Sequence, residues 1–76
     1  MRPVMYFVSG IGDHWEVRCR ADPGHPDYID RAAALEAATR QARILWERQQ
    51  VATEVLVDGD DGSWIKVAAF GEMFSL

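Results

Sequence analysis

Oxygen ligands crowd one place in this chain. Asp58-Gly59-Asp60-Asp61-Gly62 packs three carboxylates into five residues, which is the composition of a calcium loop. Such a loop needs oxygen ligands at alternate positions, then a glycine, then a bidentate Glu several residues later. Asp58 and Asp60 alternate, but the next ligand position is Gly62 and no Glu follows at the required spacing, so the segment reads as a hairpin turn. His14, Cys19 and His25 are the only soft-metal candidates. A structural zinc site takes four ligands, and strand alternation sends His14 and Cys19 to opposite faces. Cys19 therefore reads as a small buried hydrophobe and His25 as a solvated loop residue, and no metal site is expected. Ser9, Ser63 and Ser75 have no evident base or orienting acid. Gly10-Ile11-Gly12 lies between two strands, with no Lys and helix behind it to make a phosphate cradle. No catalytic residue and no cofactor follow from these patterns, and the chain reads as a non-enzyme.

Arginine carries the remaining chemistry, supplying seven of the eight basic residues. Arg18 and Arg20 line the outer side of a strand with His14, while Arg40, Arg43 and Arg48 line a helix. Arg18, Arg20, Arg40 and Arg43, with Tyr6 as a stackable aromatic, are the contacts a single-stranded nucleic-acid binder would use. The net charge of −4 and the interleaved Glu16, Glu36 and Glu47 argue against a phosphate partner.

Five segments must position these groups. The uninterrupted stretch Asp30–Val51 is built of helix formers, and at 100° per residue Ala34, Leu35, Ala38, Ala42, Leu45 and Trp46 share one stripe. Asp30 is its expected N-cap, with Asp27 a rival. Ile29 is placed to staple Ala34, and Glu36 to pair with Arg40. Val4–Val8, His14–Arg20, Thr53–Asp58 and Ser63–Phe70 read as strands, with Trp15, Val17 and Cys19 inward on the second. In the last strand, strict alternation sets Ile65, Val67 and Ala69 against Trp64, Lys66, Ala68 and Phe70. Ala21–Asp27, with two prolines, reads as a loop. The expected fold is α+β in the order β-β-α-β-β, a four-stranded antiparallel sheet with the helix on one face, in a single domain over 1–76.

One helix covers one face. The other would show some of Met5, Phe7, Trp64, Ala68 and Phe70, or their opposite-parity neighbours, with Met73 and Phe74 of the apolar tail able to join them, more than a lone small domain leaves bare. A second copy is the simplest cover, although the tail folding back is another. A single cysteine rules out an internal disulfide and suits a reducing compartment. No apolar run is long enough for a bilayer, and Met1-Arg2-Pro3-Val4 leads into a strand with no cleavage site. The composite expectation is a cytoplasmic, non-membrane, homodimeric interaction or structural module. Its role and any protein partner are unspecified, and a ligand site or small enzyme between subunits is a further alternative.

Three stretches together resemble domain-of-unknown-function family 2188 of short bacterial proteins: Trp15-Glu16-Val17, the helix opening Tyr28-Ile29-Asp30-Arg31-Ala32-Ala33-Ala34-Leu35-Glu36-Ala37-Ala38, and Glu54-Val55-Leu56-Val57 followed by Asp61-Gly62. Asp13-His14 stands where the family prefers Gly, and Ala33 stands where a capping-box Glu is expected. The likeness spans nearly the whole chain. It implies a bacterial source and the fold above, and it brings no activity and no site residues.

Overall fold

The computed structural model describes residues 3–19, 27–59 and 61–71. Its elements are β1 (Val4–Ile11), β2 (His14–Cys19), β3 (Asp27–Tyr28), α1 (Arg31–Gln49), β4 (Thr53–Asp58) and β5 (Trp64–Phe70). The strands form one five-stranded sheet in the order β3-β2-β1-β4-β5. β1 pairs β2 and β4 pairs β5 antiparallel, but β1 and β4 run parallel. The sheet is thus mixed, where a four-stranded antiparallel one was expected. The cause is the helix: it carries the chain from β3 back across the sheet, so β4 re-enters in the direction of β1, as a crossover connection requires. The extra strand, β3, falls at the end of the segment read as a loop. Asp27 therefore pairs with Glu16 in the sheet and does not cap the helix. The rest of that loop lies outside the described residues.

Each boundary has a local reason. Ile11 pairs with His14, so Gly12-Asp13 alone makes the first turn, and Gly12 takes the positive φ of 64° that a two-residue hairpin asks of its first position. β1 accordingly runs to Ile11, past the expected break at Ser9. Asp30 caps α1, its Oδ1 accepting from the Ala33 amide at 2.8 Å. At the other end Gln50 adopts the left-handed conformation, and its amide donates to the Trp46 carbonyl at 2.8 Å. Ile29 is 86 % exposed, so the expected staple onto Ala34 does not form.

The core lies between α1 and one face of the sheet. Ala34, Ala38 and Ala42 are fully buried against Val8, Val55 and Val57, with Tyr6, Val17 and Cys19 beside them and Leu35, Leu45, Trp15 and Tyr28 around the edge. Alanines at this spacing bring the helix backbone close to the strands, leaving β-branched side chains to fill the gap. Thr53 is the one buried polar side chain among the described residues, and its hydroxyl donates to the Ala42 carbonyl at 2.9 Å. Trp46 sits at the margin of this core: half-buried, it packs over Gly71, where any Cβ would overlap the indole.

Candidate functional site: the open face of the sheet

Alternation along the strands sends Met5, Phe7 and Ser9 of β1, His14, Glu16 and Arg18 of β2, and Glu54, Leu56 and Asp58 of β4 away from the helix. β5 joins them through an irregularity. Val55 faces Ala68 while Leu56 faces Lys66, so Val67 has no partner and the strand bulges there. The bulge breaks the strict alternation expected for this strand. Trp64 and Lys66 stay on the open face, but Ala68 and Phe70 turn to the helix side, where both pack on the core. Phe70 is therefore a core residue and not part of the exposed surface, correcting its expected place. Phe74 lies outside the described residues. Of the expected interface, the structure brings together Met5, Phe7 and Trp64, and it adds Leu56, which alternation from buried Val55 and Val57 would have supplied.

The apolar part of this face is continuous. The cross-strand register places Arg18, Phe7, Leu56 and Lys66 in one row across four strands. The Trp64 ring reaches over β4 to meet Phe7 edge-on, with centroids 5.0 Å apart at 65°. Met5 is 37 % and Trp64 46 % exposed. Each cation of the row has a carboxylate: Arg18 Nε donates to Glu16 Oε1 at 3.1 Å, and Lys66 Nζ lies 3.6 Å from Glu54 Oε2.

At the β2–β3 corner of the same face stands His14. Its Nδ1 is 3.4 Å from Asp13 Oδ1, while Nε2 is 3.6 Å from Glu16 Oε2 and 3.7 Å from Asp27 Oδ1. These carboxylates, Asp13 foremost and then Asp27 and Glu16, raise the His14 pKa above its ordinary 6.5 against an opposing effect of burial. The ligand atoms of His14, Glu16 and Asp27 all lie within 4.8 Å of one another. The histidine and cysteine set considered from sequence is not assembled. Cys19 is buried on the helix side, and His25 lies outside the described residues. Asp27, which completes the actual trio, was hidden because a two-residue strand leaves almost no periodic signal.

Among the described residues, the expected arginines do not converge. Arg18 is on the open face, Arg40 and Arg43 lie on the exposed side of α1 beyond the other face, and Arg20 is outside the described residues. Arg40 is held by Glu36 at 3.1 Å, the pairing expected from their spacing. Tyr6 is 6 % exposed within the core, so it offers no stacking platform beside Arg18. The acidic turn is a hairpin end: Gly59 donates to the Ser63 carbonyl at 2.8 Å. Asp61 Oδ1 accepts from the Ser63 hydroxyl at 2.6 Å and from its amide at 3.1 Å. Those two bonds lower the Asp61 pKa below its ordinary 3.8.

No helix among the described residues is long and apolar enough to cross a membrane. No protein-family model matches the chain, and no curated protein or solved structure matches it.

Proposed function

We propose that this chain is a non-catalytic interaction module of the cytoplasm, and that it forms a homodimer by stacking the open faces of two sheets. One observation carries the reading. Met5, Phe7, Leu56 and Trp64 make a continuous apolar strip on the face the helix does not cover, with Glu16–Arg18 on one side and Glu54–Lys66 on the other. Each cation in that strip is neutralised within its own copy, so the strip brings no unpaired cation to the seam, and Asp27 and Asp58 stand at its margins. Two-fold symmetry is the commonest way for one patch to cover itself, and a small domain has the most to gain from the added burial. Membership of family 2188 belongs to the same proposal, supported by the hairpin, capped helix and closing hairpin in the expected order.

Sedimentation equilibrium at micromolar concentration tests it. The expected mass is twice the 8.6 kDa of one chain. Met5→Glu and Trp64→Glu replace the two most exposed side chains of the strip, and each is expected to return an 8.6 kDa particle with unchanged far-UV circular dichroism. A monomeric wild type, or a dimer indifferent to both substitutions, would remove the reading.

A further inference from the structure

Glu16 and Asp27 are direct cross-strand partners on the open face. Like charges in that position push strands apart, and here they are one of the two residue pairs that join the edge strand β3 to β2. A cation between them would turn the repulsion into a clasp. The structure also supplies a third donor at the right place, since His14 Nε2 faces both carboxylates at 3.6 and 3.7 Å. Those separations are too long for hydrogen bonds. They are close to the edge of a zinc tetrahedron, roughly 3.3–3.4 Å for bonds of about 2.0–2.1 Å.

The surrounding groups are arranged as outer partners of such an ion. Asp13 sits against His14 Nδ1 at 3.4 Å; in the tautomer that carries the ring proton on Nδ1, Nε2 keeps its lone pair and Asp13 is the usual carboxylate support behind a metal-bound imidazole. Glu16 divides its oxygens: Oε1 accepts from Arg18 at 3.1 Å, and Oε2 is left facing His14. We propose that His14 Nε2, Glu16 Oε2 and Asp27 Oδ1 bind one zinc ion. The fourth position stays open to water, and Asp13 and Arg18 orient the ligands. One imidazole with two carboxylates suits zinc among divalent ions and disfavours magnesium and calcium, which prefer all-oxygen sites. The ion would neutralise the carboxylate pair and pin β3 to β2. All three ligands come from one chain, so the site does not depend on the proposed dimer.

The test is titration of the full chain, cleared by a chelator, with zinc chloride alone at pH 7.5. The readouts are calorimetry, amide-resolved NMR and zinc-edge X-ray absorption. Expected are one ion per chain, the largest shifts at residues 13–16 and 27–28, and a first shell of one imidazole with oxygens and no sulfur. His14→Ala and Asp27→Asn are each expected to weaken binding more than about 100-fold, and Asp13→Asn about 10-fold, as an outer partner does. Asp27 is exposed, so Asp27→Asn keeps the fold, which circular dichroism checks. The proposal is overturned if the wild type takes up no zinc, if sulfur from Cys19 appears in the first shell, or if both ligand variants bind like wild type. Magnesium binding equal to zinc would also overturn it, because a site with an imidazole ligand favours zinc.

Discussion

Val55 and Leu56 are neighbours in β4 that point to opposite faces of the sheet, and the two faces are built differently. The centre of the helix side is dry and made of small or β-branched groups: Ala34, Ala38 and Ala42 meet Val8, Val55 and Val57, all without exposure, with Tyr6, Trp15 and Phe70 packed around them. Thr53, the one buried polar side chain among the described residues, is spent on the helix backbone. The open side carries larger groups, Met5, Phe7, Leu56 and Trp64, each only partly covered and flanked by the Glu16–Arg18 and Glu54–Lys66 pairs. A face with a fixed covalent neighbour can be specified by close fit. If the open face is covered by a second copy, as proposed, it must tolerate water as well, and the ion pairs provide for that.

The sharpest way to break this contrast is to truncate the two neighbours in turn. Val55→Ala removes methyls from a packed site and is expected to cost about 2–3 kcal/mol, a large part of the roughly 4–11 kcal/mol available to a chain of this length. Leu56→Ala is expected to cost under about 1 kcal/mol in dilute protein, where its face is wet. Its cost should grow with protein concentration, as mass action requires if the face is shared. Thermal melts of both variants at two concentrations check this. Equal costs would mean that the open face is as closely filled as the core.

At the rim of the helix side, Gly71 has φ of 67° and no room for a Cβ beneath the Trp46 indole. Gly71→Ala is expected to cost about 2–3 kcal/mol from left-handed strain plus displacement of the ring. Gly62→Ala, at φ 84° with open space around it, should show the strain alone, about 1–2 kcal/mol. Melting temperatures of the pair separate sterics from backbone.

Most of the helix side was legible in the sequence. The alanine stripe, the Asp30 cap, the Glu36–Arg40 pair and the inward set Trp15, Val17, Cys19 all stand because each depends on local spacing. Trp46 was given too central a place, since the phase of a stripe does not say where the sheet ends. The open side was read less well, for reasons of non-local pairing. A single bulge at Val67, set by the register with β4, moved Phe70 from the open face to the core. The parallel β1–β4 pair and the two-residue β3 arise from the path of the helix, and no residue pattern encodes them directly. The His14–Glu16–Asp27 corner was missed with β3, because Asp27 comes from a segment that reads as loop.

Thr53 offers a smaller test within the helix side. Thr53→Val keeps the volume and deletes the hydroxyl that reaches the Ala42 carbonyl, so it is expected to cost about 1 kcal/mol, the usual net worth of one such bond. The Ala42 carbonyl is a helix acceptor already, so no larger penalty for an orphaned group is due. A neutral result by chemical denaturation would leave close packing as the whole basis of that face.

The smallest effect lies at the turn that leads β5 onto the open side. Asp61 holds the Ser63 hydroxyl at 2.6 Å and the Ser63 amide at 3.1 Å, immediately before Trp64 enters the strand. Because those bonds favour the charged carboxylate, its folded pKa lies below the ordinary 3.8. The bonds therefore add stability above that ordinary value, and the contribution is lost as pH falls through the lower folded value. Ser63→Ala deletes the hydroxyl, the larger cause, and keeps the amide, so the Asp61 carboxyl should titrate closer to 3.8 in the variant. Carboxyl-carbon NMR between pH 2 and 6 measures the shift, and the Trp64 indole resonance reports whether the open face loosens with it. A Trp64 signal that stays fixed while Asp61 moves would show that the bulge and the Phe7 contact, not the turn, hold the indole in place.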